Sequence, residues 1–460
     1  MLAGDIVIFY GALALALLIR RPALLNETYY VHHVGFFSVI LPVCLIVNLV
    51  IGLYDFRQIR DLTGIIGESV LGFFYSFIAA VTVYYFYGTV LPAPKTNLFL
   101  TLLFFTVMGI YWRRLWMSWS SSAMFATKTV FLGLNPVVSG MIADMDGHHY
   151  SRFKVVKPEA VTGWLERHKP GVAVRGKKLP ELIDLIVVDA EKLGTDDETQ
   201  RILSAALEFG IPVRTHTDFY EEVYKKVPPQ SIDHYNWMLT HVLPRRNDIY
   251  LWLKDFSGRL AAALGILILS PFLPLVALAI KLEDGGPVFY FQPRVGFMKK
   301  PFMLWKFRTM RLGADKEGYV WHKGKPDPRV TRVGRLLRKF RLDELPQLWN
   351  VARGEMALVG PRPTWTGEEQ AWALPDYHIR LLVKPGITGW AQINAPATDS
   401  EEDTVEKLCY DLYYIKNISF ALDLSILLKT LRRIFESEHA VRRRSRGGVS
   451  ALDIAARSAK

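Results

Sequence analysis

Apolar residues bunch into four runs near the start of the chain, at 5–19, 36–54, 67–91 and 98–117. A bilayer span takes about 20 residues, so the last three suffice as they stand and the first needs tilt or extension. The runs carry apolar and aromatic faces with few charges. Aromatics crowd their ends, as in VYYFYG at 83–88 and YWRRLW at 111–116, where interfacial belts sit. The period then changes. A strand-like KTVFLGL (128–134), a helical stretch, a buried run LIDLIVVDA (182–190), a helix at 197–209 and GIPVRTH (210–216) alternate as a small doubly wound α/β unit. A linker with Pro228, Pro229 and Pro244 follows. A different apolar segment, Leu260 to Ile280, is interrupted by Ser270, Pro271 and Pro274. From about 285 a compact mixed α/β region runs to about 435, and the tail 436–460 is basic and weakly patterned.

Charge sharpens this pattern. The 460 residues carry a net charge of +12, nearly all of it after residue 110. A basic soluble part beside membrane helices suits anionic headgroups and phosphorylated substrates. No nucleic-acid module is present, which argues against nucleic acid as a partner. Arg57, Arg60, Arg113, Arg114 and Lys128 flank the second and fourth spans. They favour both ends of the bundle in the cytoplasm, with Arg20 and Arg21 running against them. The two cysteines, Cys44 and Cys409, form neither a disulfide framework nor a metal spacing. The first apolar run ends in IRRP with no small-residue cleavage site, so no cleaved signal peptide is expected.

Pro271 and Pro274 each remove an intrahelical donor and clash with the preceding turn. The carbonyls of Leu267 and Ser270 lose their partners, and the Ser270 hydroxyl can turn to one of them. A kinked span and a helix-break-helix that returns to the same side both satisfy the backbone. Four preceding spans favour re-entry, because a fifth would carry the basic region away from cytoplasmic nucleotide-activated substrates.

Candidate chemistry lies downstream. TRVGRLLRKFRLDE (331–344) interleaves Arg332, Arg335, Arg338, Lys339 and Arg341 with Val333, Leu336, Leu337 and Phe340 at helical spacing, a basic amphipathic helix suited to the interface. Asp343 and Glu344 then open the next helix, with Pro346 in its first turn. A helix start favours anions and keeps a carboxylate ionised. Neighbouring helical residues point about 100° apart, so one carboxylate can face a phosphorus atom while the other holds a cation. An ionised carboxylate can be a nucleophile toward phosphorus, and Mg²⁺ is the usual charge neutraliser for diphosphates. In LWKFRTM (304–310), Lys306 and Arg308 share one strand face as a phosphate clamp. In GEMALVGPRP (354–363), prolines on both sides pre-position Arg362. KPGITGWAQIN (384–394) is a turn-rich loop with Lys384, Trp390, Gln392 and Asn394. In the α/β unit, the turn after the first strand reads Gly133-Leu-Asn135-Pro-Val-Val138, where a dinucleotide fingerprint needs glycines. No NAD binding is expected there.

Taken in order, the Ser270-Pro271 break, RVG (294–296), KFRTM, DPRVTRVGR (327–335), DELPQLWNV, GEMALVGPRP, KPGITGW and YDLYYIKN (410–417) make residues 255–430 resemble the bacterial sugar transferase family. The four spans, the α/β unit and DFYEEVYKKVP (218–228) resemble the N-terminal half of its larger members more loosely. The resemblance implies a membrane α-helical bundle plus α/β. Its parts are four transmembrane helices (1–120), a degenerate Rossmann-like domain (121–230), a linker (231–254), a re-entrant membrane helix (255–284), a compact mixed α/β catalytic domain (285–435) and a basic flexible tail (436–460). It implies Asp343 as nucleophile, Glu344 as the Mg²⁺ ligand and Ser270-Pro271 as the re-entrant break. Pro361, Arg362 and Pro363 fall at the nucleotide-sugar site, with Lys306, Arg308, Arg335, Arg338 and Gln347 as further substrate contacts. The expected activity is transfer of a hexose-1-phosphate, glucose or galactose, from a UDP-sugar to undecaprenyl phosphate with release of UMP. That is a first membrane step of exopolysaccharide or O-antigen assembly at the bacterial inner membrane. A homodimer and contact with downstream glycosyltransferases fit the same reading. Two other classes compete: a non-catalytic assembly scaffold, opposed by the intact Asp343-Glu344 pair, and a nucleotide-sugar oxidoreductase or dehydratase, opposed by the missing glycines.

Overall fold

The computed structural model describes residues 1–20, 27–54, 62–87, 95–120, 126–147, 153–167, 183–189, 197–228, 248–314, 327–365, 377–395 and 401–435. Arg21, Arg57, Arg60, the linker with Pro229 and Pro244, and the basic tail lie outside them. The chain divides into two compact units, Met1–Tyr224 and Lys225–Asp453.

The first unit opens with four helices long and apolar enough to cross a membrane: α1 (Leu2–Arg20), α2 (Glu27–Ile51), α3 (Leu62–Tyr87) and α4 (Lys95–Ser120). Phe9, Leu13, Phe37, Ile40 and Leu102 pack at its centre. The interior departs from the apolar expectation. Asp5, fully buried, accepts hydrogen bonds from Arg113 at 2.8 Å and from the Tyr54 hydroxyl at 2.6 Å. At the other end of α1, Arg20 donates to Asn97 at 2.9 Å. Arg113 is therefore a buried ion-pair partner inside α4 and not a free interfacial charge. An ionised side chain at membrane depth persists when it is paired inside the bundle, and this pair ties α1 to α4.

The α/β part of this unit is a four-stranded parallel sheet in the order β2-β1-β3-β4. Its elements are β1 (Thr127–Leu132), α5 (Pro136–Gly147), β2 (Phe153–Val156), α6 (Pro158–Arg167), β3 (Leu185–Val188), α7 (Asp197–Phe209), β4 (Val213–Thr215) and α8 (His216–Tyr224). The sequence pattern predicts three of the strands. The fourth, β2, is a four-residue edge strand with only partly covered side chains, too short and too mixed to give a period. The turn after β1 is closed by Asn135, whose Oδ1 accepts the Val138 amide at 2.8 Å while its Nδ2 donates to Asp189 at 2.9 Å.

The second unit begins with α9 (Asp248–Leu269) and α10 (Leu273–Asp284), bent 65° from each other. At the break the Ser270 hydroxyl donates to the Leu267 carbonyl at 2.7 Å. Pro274 stands in the first turn of α10, where a missing N–H costs little. The helix starts at Asp248, inside the stretch read as linker. Its outer face is apolar from the start: Ile249, Trp252, Phe256, Leu260, Leu264 and Leu267 are exposed. Two of its charged residues face inward, with Lys254 on Asp423 at 2.7 Å and Asp255 on Lys384.

Behind this helix pair stands an antiparallel hairpin, β5 (Phe289–Val295) and β6 (Pro301–Phe307). Next come α11 (Arg332–Lys339), a 3-10 turn (Leu342–Glu344) and α12 (Gln347–Ala352). A parallel pair, β7 (Ala357–Val359) with β9 (Gly386–Thr388), follows, and β8 (Thr364–Trp365) joins the hairpin. Helices α13 (Trp390–Asn394), α14 (Glu401–Lys416) and α15 (Phe420–Phe435) close the unit over a core of Val359, Ile379, Trp390, Leu412, Tyr414 and Ile426. Asn350 of α12 stands in for a missing strand. It donates to the Met303 carbonyl at 2.7 Å and accepts the Trp305 amide at 3.1 Å, which satisfies the free edge of β6.

Candidate active site

Asp343 and Glu344 do not open α12. They sit in the 3-10 turn ahead of it, which Arg341 enters with a left-handed φ of 56°. The turn is closed by the Glu344 amide on the Arg341 carbonyl at 3.3 Å and the Leu345 amide on the Leu342 carbonyl at 3.2 Å. The next helix starts only at Gln347, with Pro346 at its cap. Leu342 and Leu345 flank the carboxylates and pack into a cluster with Ile280 and Val276 of α10, Phe307 of β6 and Leu337 of α11. The second half of the bent helix pair is thus the floor beneath the turn.

Three segments converge on Glu344. Lys306 of β6 donates to its Oε1 at 3.3 Å, and Arg362, between Pro361 and Pro363, donates to the same oxygen at 3.2 Å. Glu344 is buried while Arg362 is 42% exposed, so the guanidinium reaches from the carboxylate toward solvent. Burial pushes the Glu344 carboxyl up, but Arg362, Lys306 and Arg341 together outweigh it and bring it down to about 2. Asp343 moves the other way. Burial and the neighbouring Glu344 charge raise it above its ordinary 3.8, against Lys306 and Arg338. Burial likewise lowers the Lys306 ammonium, with Glu344 opposing. Two adjacent carboxylates are therefore pushed apart in acidity by their surroundings, the pattern expected where two acids do different work.

The other expected contacts divide. Arg338 lies close enough to act on Asp343 and donates from Nε to Thr309 Oγ1 at 2.8 Å. Gln347, Pro361 and Pro363 are buried beside the site. Arg335 is exposed on α11 and makes no ion pair with either carboxylate among the described residues. Arg308 corrects the two-residue clamp. It follows the last residue of β6, turns away from the dyad and pairs with Asp284 at the end of α10. Asp284 is an acid that the sequence pattern left inside the membrane segment. Arg294 of the RVG motif donates to the Pro363 carbonyl at 3.1 Å, a contact across 69 positions that the motif itself does not signal. Gly360 and Gly386 let the Pro-Arg-Pro segment lie against the following loop: a Cβ on Gly386 would sit 2.1 Å from the Gly360 amide nitrogen.

A divalent cation can be tested against this geometry. Both ion pairs of Glu344 fall on Oε1, which leaves Oε2 for a cation. Among the described residues no group of three or more His, Cys, Asp or Glu side chains gathers as a ready-made cage. That donor set fits Mg²⁺, which takes one or two carboxylates and completes its shell with substrate phosphate and water.

Residues 249–437 match the bacterial sugar transferase family. The chain is 38% identical over 258 residues to a UDP-N-acetylgalactosamine-undecaprenyl-phosphate N-acetylgalactosaminephosphotransferase of Aeromonas hydrophila, covering 55% of this chain and 59% of that protein. It is 41% identical over 192 residues to a UDP-glucose:undecaprenyl-phosphate glucose-1-phosphate transferase of Escherichia coli, covering 41% of each. It is 40% identical over 188 residues to an exopolysaccharide production protein of Rhizobium leguminosarum, covering 39% of this chain and 94% of that protein. The aligned part thus spans under two thirds of the first two relatives and nearly all of the third.

Proposed function

The chain belongs to the bacterial sugar transferase family, and from that premise we propose that it moves a hexose-1-phosphate from a UDP-sugar to undecaprenyl phosphate at the cytoplasmic face of the inner membrane. Glucose and galactose are the sugars we favour. The carrying observation is the dyad: a part-buried Asp343 beside a Glu344 held ionised by Lys306 and Arg362, on a turn floored by the bent apolar helix.

Asp343 attacks the sugar-bearing phosphorus of the UDP-sugar. A bond forms from its carboxylate oxygen to that phosphorus, and the bond to the bridging oxygen breaks. UMP leaves with the electron pair. The phosphate oxygen of undecaprenyl phosphate then attacks the same phosphorus and expels Asp343, giving undecaprenyl-diphosphate-sugar and the free carboxylate. Splitting the exchange suits one soluble and one lipid substrate, because each meets the carboxylate in turn. Arg362 and Lys306 orient the phosphates. Glu344, through Oε2, would hold Mg²⁺, which when bound supplies neutralisation of the diphosphate charge. The 65° bend between α9 and α10 supports a re-entrant pair that keeps the catalytic part beside the headgroups. The sheet built from β1 to β4 reads as a degenerate Rossmann-like unit whose first turn is closed by Asn135, a packing or regulatory part and not a dinucleotide site. The product class fits a first membrane step in exopolysaccharide or O-antigen assembly.

The test is UMP release from a panel of UDP-sugars with undecaprenyl phosphate and Mg²⁺. One or a few hexoses should give turnover that needs the acceptor. No release from any of them by a folded, membrane-inserted chain would overturn the reading.

The pH dependence follows from the two acids. Turnover needs ionised Asp343, so the acid limb should lie above 3.8, with Glu344 still ionised down to about 2. The stability signs are opposite. Glu344, lowered, contributes stability that is present above its ordinary 4.5 and lost as pH falls toward about 2. Asp343, raised, costs stability at neutral pH, and that cost is relieved as pH falls through its folded pKa. A pH–rate profile whose acid limb disappears in Glu344→Gln but survives in Asp343→Asn would reverse the assignment.

A further inference from the structure

The Pro361-Arg362-Pro363 segment has an uncommon hydrogen-bond problem. Its prolines fix two φ angles and offer no N–H, so apart from the Arg362 amide its backbone is held through its three carbonyls. Each is taken from outside the segment. The Pro361 carbonyl accepts from the Gly386 amide at 2.9 Å, that of Arg362 from Arg380 Nη2 at 3.0 Å, and that of Pro363 from Arg294 Nη1 at 3.1 Å. Arg380 also donates from Nη1 to Thr364 Oγ1 at 3.1 Å, and the Tyr377 hydroxyl lies 3.2 Å from the same oxygen. Its Nε donates to Asp411 Oδ2 at 2.8 Å, and its guanidinium lies 4.6 Å from the centre of the Tyr377 ring. The side chains of Arg380 and Asp411 are only 9% and 2% exposed.

We propose that Arg380, oriented by Asp411 of α14, is a positioning residue that fixes the Arg362 backbone and so aims the Arg362 guanidinium at the donor diphosphate. This rests on the reading of Arg362 as a nucleotide-sugar contact. Two features favour it over a merely structural pair. Burying an ion pair gains little stability by itself, whereas a planar fork holding a backbone carbonyl and a side chain together gives orientation. Positive charge also gathers around Arg362, offset in part by Glu344, Asp403 and Asp411. Lys407, one turn before Asp411, is pushed down to about 8 by burial and by Arg362, with Arg380 adding to the effect against Asp403 and Asp411. Arg362, Arg380 and Lys407 thus crowd one locality, which an incoming diphosphate would relieve.

The test uses the full chain in detergent or nanodiscs. Arg380→Lys keeps the charge and loses the fork; Asp411→Asn keeps the shape and loses the charge that orients it. Each should raise KM for the UDP-sugar, and the dissociation constant of UMP, by about tenfold or more, with a smaller change in kcat. In an Arg362→Ala background either substitution should add little further, because its effect runs through Arg362. Melting temperature is read on every variant, and if Arg380→Lys fails to fold, Asp411→Asn carries the test. Wild-type KM in a folded variant, or effects fully additive to Arg362→Ala, would overturn the proposal while wild-type turnover left the parent reading standing. A wild-type chain that neither binds UMP nor releases it would sink both.

Discussion

Asp343→Asn is expected to reduce UMP release to background, a loss of about 10⁴-fold or more, and to leave the fold at least as stable. An amide of the same shape keeps the turn's packing but cannot form the bond to phosphorus. The stability half follows from the carboxylate's position. Burial and the Glu344 charge both disfavour ionised Asp343, so removing that charge relieves a cost the active protein carries at neutral pH. Incubation with labelled UDP-sugar and no acceptor should leave label on the wild-type chain and none on the variant. Glu344→Gln should also cripple turnover for a different reason: Lys306 and Arg362 lose the charge that both donate to. Near-normal UMP release, or retained covalent label, in a well-folded Asp343→Asn protein would end the covalent mechanism.

Much of this site was legible because its carriers are local. The break at Ser270, the basic turn before Asp343 and the prolines around Arg362 each announce themselves within a few residues. The α7 helix is legible for the same reason, its apolar residues recurring at helical spacing. What the sequence hid is made of long-range pairs. Asp5 and Arg113 meet across 108 positions of chain, and Arg380 meets Asp411 across 31; nothing near either member signals its partner. The start of α9 was hidden for another reason. Asp248 and Lys254 make 248–254 look like the end of a polar linker, yet Lys254 and the following Asp255 face inward onto Asp423 and Lys384 while the opposite stripe stays apolar. Arg308 shows the limit of periodicity itself. Strand spacing puts it beside Lys306, but the strand ends at Phe307, and the next side chain is free to choose Asp284.

Replacing both Pro271 and Pro274 with alanine is expected to cost at least about 100-fold in turnover while the chain stays in the membrane. Each proline in a helix interior costs about 3 kcal/mol, so the double substitution removes the main penalty against one continuous α9–α10 helix. The 65° bend is what brings α10 back beneath the dyad. Its end holds the site by two acids. Glu283 accepts the Arg332 amide at 2.6 Å and the Val333 amide at 3.1 Å, capping α11, and Asp284 holds Arg308. Ile280 and Val276 meanwhile support Leu342 and Leu345 on either side of the carboxylates. A straightened helix would pull that floor and both acids from under the turn. Labelling resolves the cause: Asp248→Cys and Leu282→Cys should be reached from the same side of the bilayer in the parent and from opposite sides in the double-alanine protein. If the double-alanine protein keeps both its turnover and the one-sided labelling, the bend is held by Glu283, Asp284 and the packing above α10, and the prolines are not its cause.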